Sequence, residues 1–364
     1  MNLIKIISVF LLLFIAKLSL CQSTFKENLF VSASYKFGYV LPEYQFIHSI
    51  VNQNIHQIEL SIFKQTNGQN YWQTIYKFPR FGFSFFITSL GNNKILGQEY
   101  AFFPFVSLQS HSNKKFHIEN KFGLGIGYVT KKFDLIDDYK NVAVGSHVNI
   151  HFNYDFGVNY NINPKLNIKT NLGFNHFSNA NMREPNLGIN TLSAVVGMDY
   201  LIGKKSERVS TNIPEFTPKN EFAFIYAAGG KHTRALQSTV YFTSSFSFEY
   251  KRKMKRIFHL GCGFDIFYDS STKKELSVPE KTSYKSIYDF RTGIHFSQEI
   301  VYNKFSFILQ EGIYLGLTDK VDHSIMYNRA ILRWKWTSHF FTHISMKSHL
   351  HILDYPEVGF AYYW

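Results

Sequence analysis

Residues 173–190 read GFNHFSNANMREPNLGIN and join two segments in which apolar and polar side chains alternate. The apolar row of the first segment comprises Leu166, Ile168, Leu172 and Phe174, and its polar row comprises Asn167, Lys169, Asn171 and Asn175. The apolar row of the second segment comprises Leu192, Ala194, Val196, Met198 and Tyr200. A period of two is typical of a β-strand with two different faces. The stretch therefore predicts a β-hairpin of strands 165–178 and 190–202.

The same alternation runs through most of the chain in segments of roughly ten residues. The first half adds predicted strands at 29–39, 57–64, 81–90, 99–109, 116–130 and 146–162. A charged segment at 203–220, which contains Pro214 and Pro218, interrupts the pattern and predicts a linker. The second half continues at 221–228, 238–251, 256–268, 284–302, 305–317, 323–336, 340–350 and 358–364.

These segments predict an all-β fold, a transmembrane antiparallel β-barrel of the bacterial outer membrane. Strands with one apolar, aromatic face and one polar face are the signature of such barrels. Aromatic residues make up 18% of the chain, and its last strand places Val358, Phe360, Tyr362 and Trp364 on one face. A soluble β-sandwich shares the alternation, but it rarely carries so many aromatic side chains on outward faces.

The number of barrels stays open at this point. Eight segments in each half allow one barrel of about 14–16 strands, or an eight-stranded barrel followed by a second β half. Either arrangement removes unpaired strand edges, which lipid does not tolerate. We favour a single large barrel, because two spanning barrels on one short linker would be unusual.

The N-terminus predicts export. Lys5 precedes an apolar run at 6–16, and small residues follow, as in a secretory signal peptide of residues 1–23. The predicted organisation is then a barrel half at 24–202, a linker at 203–220 and a second barrel half at 221–364. The mature chain would keep one cysteine, Cys262, and so could form no intramolecular disulfide.

The net charge of +13 favours an anionic partner. The basic residues of the chain are scattered among turns and strand ends rather than gathered in one arm or helix. This distribution argues against nucleic acid and indicates a protein that lies beside anionic lipid. The histidines show no compact ligand spacing, so we expect no metal and no cofactor.

His176 and Ser178 extend the apolar row of the seventh predicted strand at its end, and Asn190 has the same parity on the eighth. If the loop is symmetric about Arg183, His176 and Asn190 lie opposite one another, where Cβ atoms are about 5 Å apart. The three polar side chains would cluster on an apolar outer face, where unpaired polar groups are costly. With a periplasmic N-terminus, this end of the barrel faces the cell exterior.

These residues resemble the lipid A 3-O-deacylase (PagL) family and its acyloxyacyl-hydrolase-like relatives. The resemblance rests on His176-Phe177-Ser178-Asn179-Ala180, on Glu184-Pro185-Asn186 and on Gly188-Ile189. It covers roughly residues 24–202 and implies an eight-stranded outer-membrane barrel that removes an ester-linked acyl chain from lipid A. The compact members of the family have no counterpart of the second half.

The resemblance also implies roles for individual residues. His176 would be the base and Ser178 the nucleophile, and Asn179 and Asn186 would position the substrate or stabilise the oxyanion. Where the family carries a Glu that completes the triad, this chain has Asn190, which can orient an imidazole but supplies no negative charge. We favour Asn190 as the orienting residue over Glu184 in the loop.

Three alternatives accompany this hypothesis. Two other His-x-Ser triplets, His295/Ser297 and His343/Ser345, have the parity of the polar lumen and are better explained by it. A porin-like or structural barrel without catalysis would leave the cluster without a role, and an outer-membrane phospholipase would use the same residues on another lipid.

Arg183 and lysines near the same end are candidates for pairing with the phosphates of lipopolysaccharide. The sequence leaves the oligomeric state open.

Overall fold

The computed structural model describes residues 27–110, 115–209, 211–233, 239–276, 283–350 and 352–364. In that part of the chain, sixteen strands form two closed antiparallel barrels of eight strands each. β1 pairs with β8 in the first barrel, and β9 pairs with β16 in the second. The all-β outer-membrane-type fold is therefore confirmed. The preference for a single large barrel is wrong, because each half closes on its own first strand.

The first barrel carries two short helices in its loops. Helix α1 (Gln45–Ile50) follows β1, and helix α2 (Tyr71–Ile75) follows β2. Neither is long enough to show a helical period in the sequence. The strands are β1 (Leu29–Leu41), β2 (Ile55–Gln65), β3 (Arg80–Ser89), β4 (Gln98–Gln109), β5 (Phe116–Val129), β6 (Val148–Asn161), β7 (Leu166–Ser178) and β8 (Ile189–Leu201).

The second barrel has the same plan. Helix α3 (Thr272–Leu276) follows its third strand, and a 3₁₀ turn at Ser286–Asp289 precedes its fourth. The strands are β9 (Lys219–Lys231), β10 (Tyr241–Lys255), β11 (Phe258–Asp269), β12 (Phe290–Tyr302), β13 (Phe305–Tyr314), β14 (Met326–Lys335), β15 (Phe340–His349) and β16 (Ile352–Tyr363).

The alternation in the sequence becomes an inside and an outside. On β7, Leu172 is 61% exposed on the outer surface, whereas Asn171 is 5% exposed inside the barrel. At the C-terminus, the outward row of β16 and the residue after it is exposed as predicted, namely Val358, Phe360, Tyr362 and Trp364. Because closure pairs the backbone groups, the outer surface can be apolar throughout.

Buried ion pairs fill the interior of the first barrel. Lys36 Nζ lies 2.8 Å from Glu59 and 2.8 Å from Asp155. Arg80 Nη1 lies 3.1 Å from Asp199 Oδ2. The contact of Lys36 with Glu59 joins the neighbouring strands β1 and β2, whereas the contacts with Asp155 and Asp199 join strands that are not neighbours and so tie different walls of the barrel together. A buried charge is tolerated only when it is paired in this way.

The interior of the second barrel follows the same principle. Arg329 Nη2 lies 2.8 Å from Glu357 Oε2. Lys231 Nζ lies 2.9 Å from Asp269 and 3.1 Å from Asp354. Three arginines are among its largest fully buried side chains, namely Arg291, Arg329 and Arg333. The described residues therefore fill this lumen with paired charge.

The predicted strand limits agree with the structure within a few residues except at the starts of β12 and β16. β12 begins at Phe290, six residues after the predicted start, because the 3₁₀ turn at Ser286–Asp289 precedes it. β16 begins at Ile352, six residues before the predicted start. Asp354 and Tyr355 are both buried in succession beside a register shift at Lys347/Ser348, and this bulge breaks the alternation. The predicted signal peptide at 1–23 lies outside the described residues. None of the helices in the described ranges has the length and apolar character needed to cross a bilayer.

Candidate active site

The β7–β8 hairpin has the register that the sequence predicts. His176 is paired directly with Asn190, and Phe177 with Ile189. His176 Nδ1 lies 2.6 Å from Asn190 Oδ1. An amide oxygen only accepts, so Nδ1 carries the proton and donates it to Asn190. This contact leaves Nε2 of the imidazole as the nitrogen with a lone pair.

The cluster lies at the end of the outward row. His176, Ser178 and Asn190 are half-buried, whereas Phe177 between the first two is fully buried inside. His176 and Ser178 therefore extend the row that contains Leu172. A polar group on this row has to be satisfied by its neighbours, because the surface around it is apolar.

A residue that sequence reasoning missed, Glu43, completes the hydrogen-bonded row. Asn190 Nδ2 donates to Glu43 Oε2 at 3.0 Å. Glu43 reaches this place because Leu41, the last residue of β1, is paired with Asn190. Glu43 stands 147 positions before Asn190 in an irregular segment, so only the closure of β1 on β8 signals the contact.

The loop after β7 is braced by two asparagines. Asn179 Nδ2 donates to the Arg183 carbonyl at 2.6 Å, and the Asn179 backbone N–H donates to Asn186 Oδ1 at 2.9 Å. Ala180 and Asn181 adopt positive φ angles of 54° and 59° inside this turn. Asn179 thus uses its side chain to hold the turn. Asn186 uses its oxygen, so its Nδ2 is the group that remains to donate.

The same loop packs on the loop between β5 and β6. The Gly188 backbone N–H donates to the Ala143 carbonyl at 2.8 Å. Gly188 has a φ of +71°, which a residue with a side chain adopts only under strain. Burial raises the pKa of the Glu184 carboxyl, although the Asn186 backbone N–H opposes the shift. The side chain of Asn190 contacts His176 Nδ1.

The other His-x-Ser triplets are luminal, as their parity predicts. The histidines and serines of both, His295, Ser297, His343 and Ser345, are at most 4% exposed. His295 Nδ1 lies 2.7 Å from Asp265 within the ion-pair network. These triplets therefore face the interior of the second barrel.

One group of possible metal ligands occurs in the second barrel among the residues that the structure describes. Asp319, Asp322 and His349 bring ligand atoms within 4.8 Å of one another. Arg291 already lies 3.3 Å from the Asp319 carboxylate, and Tyr314 Oη lies 2.9 Å from His349 Nε2. The group therefore has structural partners of its own.

Two family models match the chain, one in each barrel. The model described as lipid A 3-O-deacylase (PagL) matches residues 56–199. The model described as the C-terminal domain of acyloxyacyl hydrolase matches residues 220–364. The chain belongs to the PagL lipid A deacylase family. The second match extends the family likeness beyond residues 24–202, to which the resemblance in the sequence was limited.

Solved structures give a weaker likeness. Neisserial surface protein A is 11% identical, with a TM-score of 0.34, over 48% of this chain and 97% of its own. A triple mutant of the Rhodopseudomonas blastica porin is 7% identical, with a TM-score of 0.17, over 92% of this chain and 99% of its own. No curated protein matches the chain. As a member of the PagL family with a β-barrel fold, it is an outer-membrane protein, and the family implies ester hydrolysis.

Proposed function

We propose that this PagL-family protein is an outer-membrane esterase that removes an ester-linked acyl chain from lipid A. Ser178 is the nucleophile, His176 is the general base and then the general acid, and Asn190 orients the imidazole. The observation that carries the proposal is the contact between His176 Nδ1 and Asn190 Oδ1 on the outward row that ends at Ser178.

The chemistry follows from the proton positions. With Nδ1–H donated to Asn190, His176 Nε2 takes the proton as Ser178 Oγ attacks the ester carbonyl. The imidazolium then gives the proton to the departing alkoxide oxygen as the ester C–O bond breaks, and an acyl-enzyme remains. Water, activated by His176 in the same manner, releases the fatty acid and restores Ser178.

An oxyanion forms in both steps and needs donors placed in advance. Asn186 is the better candidate of the two asparagines, because its Nδ2 is directed away from the contact that its oxygen makes with Asn179. Asn179 supports the site indirectly, because its side chain holds the Arg183 carbonyl. Backbone N–H groups of the loop are additional donors.

Two features favour lipid A as the substrate, namely the level of the cluster in the membrane and the basic side chains beside it. A cluster on the outer surface, at the end where β7 stops, meets a lipid that stays in the outer leaflet. Exposed basic groups on the two contacting loops, among them Lys131, Lys140 and Arg183, would pair with the lipid A phosphates. Neither step of the reaction requires a metal or a cofactor.

A porin-like role is less well supported. Both interiors contain paired, buried charge, as in the contacts of Lys36 with Glu59 and of Arg329 with Glu357. A water-filled channel would leave such side chains hydrated and exposed. An outer-membrane phospholipase uses the same serine chemistry and therefore has to be separated by assay.

The test replaces the nucleophile. Purified Ser178→Ala is expected to assemble normally, shown by its heat-modifiable electrophoretic mobility, and to leave lipid A fully acylated by mass spectrometry. Ser297→Ala is the matched control, since Ser297 belongs to a luminal His-x-Ser triplet and should not be needed for deacylation. Unchanged deacylation by Ser178→Ala would refute the mechanism. Release of fatty acid from phospholipid vesicles but not from lipid A would favour the phospholipase.

A further inference from the structure

We infer that Glu43 is a positioning residue that sets the direction of the Asn190 amide and, through it, the tautomer of His176. This inference rests on the proposed function, because it concerns how the same site is prepared for catalysis. Its basis is the continuous row from Glu43 Oε2 to Asn190 Nδ2 at 3.0 Å and from Asn190 Oδ1 to His176 Nδ1 at 2.6 Å.

The direction of the row is fixed at its outer end. An ionised carboxylate can only accept hydrogen bonds, so Glu43 requires Asn190 to present its NH₂ group. The amide then has to present its oxygen to His176. A carbonyl oxygen cannot donate, so Nδ1 carries the proton and Nε2 carries the lone pair that the base needs.

Asn190 alone could not impose this order. An amide can face an imidazole with either its oxygen or its nitrogen, and the second choice would place the proton on Nε2. A carboxylate in direct contact with the imidazole excludes that choice by itself, but this chain has no carboxylate at position 190. Glu43 therefore selects the same His176 tautomer indirectly, through the amide of Asn190.

The fold explains why this arrangement holds together. Asn190 is paired with His176 on one side and with Leu41 of β1 on the other, so its side chain lies between β7 and the segment after β1. Pro42 follows Leu41, and a proline has no N–H with which to continue the ladder. The chain leaves the sheet there and carries the Glu43 side chain over Asn190.

The test exchanges amide and carboxylate along the row. Glu43→Gln keeps the shape but allows the row to run in either direction. It is expected to lower kcat by roughly threefold to thirtyfold while KM stays within about twofold, because the reactive form is depleted and the imidazolium loses a nearby anion. Gln45→Ala, an exposed change at the start of the neighbouring helix α1, is the control and should leave kcat unchanged.

The decisive comparison uses Asn190→Asp as a second background. The introduced aspartate would hold the Nδ1 proton of His176 directly, so adding Glu43→Gln to this background should not lower kcat further. In the double variant the NH₂ group of the introduced glutamine can donate to the introduced carboxylate, and kcat should be at least that of the unchanged enzyme. An equal loss from Glu43→Gln in both backgrounds would overturn the inference, as would no loss in either.

A second readout does not depend on activity. Two-bond ¹⁵N–¹H correlation spectra of the detergent-solubilised protein, recorded at alkaline pH, distinguish an Nδ1–H from an Nε2–H imidazole. The unchanged protein should show Nδ1–H for His176, and Glu43→Gln should show a mixture. A pure Nδ1–H signal in Glu43→Gln would overturn the inference. Deacylation by Ser178→Ala would instead refute the proposed function and leave this result standing.

Discussion

At the scale of single residues, exposure to the outside is what separates the candidate site from its look-alikes. His176 and His295 stand in identical His-x-Ser spacing, yet His176 is half-buried on the outer surface and His295 is 4% exposed in the lumen. His176 contacts an amide, whereas His295 lies between Asp265 and Glu249 at 2.7 and 3.4 Å. One environment suits a neutral base, and the other suits a structural ion pair.

The two histidines should therefore respond differently to the same change. His176→Gln is expected to lower kcat for lipid A deacylation by about a thousandfold or more, because the base is lost, with normal assembly. His295→Gln should retain kcat per folded molecule but lower the free energy of unfolding, because two buried carboxylates lose a partner. Activity and urea unfolding measured on both variants check this. A loss of activity in His295→Gln but not in His176→Gln would mean that the active site lies in the second barrel, against the proposal.

At the scale of elements, the sequence predicted the hairpin well and its surroundings poorly. Period-two alternation fixes which face of β7 and β8 is apolar, so the pairing of His176 with Asn190 could be predicted. The contact of Asn190 with Glu43 could not, because it depends on which strand lies beside β8. Irregular segments carry no period, which also hid the contact of Gly188 with Ala143. Helices α1 and α2 were missed because they are too short to show a helical period.

The loop after β7 should respond to pH through Glu184. Its raised pKa means that the folded loop binds the proton more tightly than the unfolded loop does. The carboxyl therefore supports the loop fully below its unfolded pKa, and this support is lost as the pH rises through the folded pKa. Glu184→Gln, which stays neutral, should show slower hydrogen exchange in peptides from 179–188 at neutral pH.

The control for this loop is the unchanged protein at acidic pH, where Glu184 is protonated and the difference should vanish. Glu207→Gln, an exposed change elsewhere, should not affect the loop at either pH. Faster exchange in Glu184→Gln at neutral pH would mean that the ionised carboxylate holds the loop in place. Burial of the ionised Glu184 carboxylate would then not destabilise the loop.

At the scale of the whole molecule, the strand pattern left one large barrel and two small ones equally compatible with the alternation. Each strand reads the same in either arrangement, since the period records faces and not partners. The partners of the end strands decide the matter, and β8 returns to β1 while β16 returns to β9. The smaller circumference brings opposite walls close enough for side chains to meet across the lumen.

This closure buries the luminal ion pairs, so removing one partner of a pair should destabilise the barrel, and Arg329 tests this expectation. Its guanidinium lies 2.8 Å from Glu357 and 3.7 Å from Asp265, which joins β14 to β16 and β11. Arg329→Ala would leave both carboxylates buried without this cation, at a cost of about 3–5 kcal/mol in the free energy of unfolding. Urea unfolding in detergent micelles measures the loss, and exposed Lys255→Ala should change the free energy by less than about 0.5 kcal/mol. Equal stability of the two variants would mean that water replaces the ion pair, and the lumen would then be hydrated. If the lumen is hydrated, planar-bilayer recordings of Arg329→Ala should show conductance steps. If the lumen is filled by paired side chains, recordings of the unchanged protein should show none.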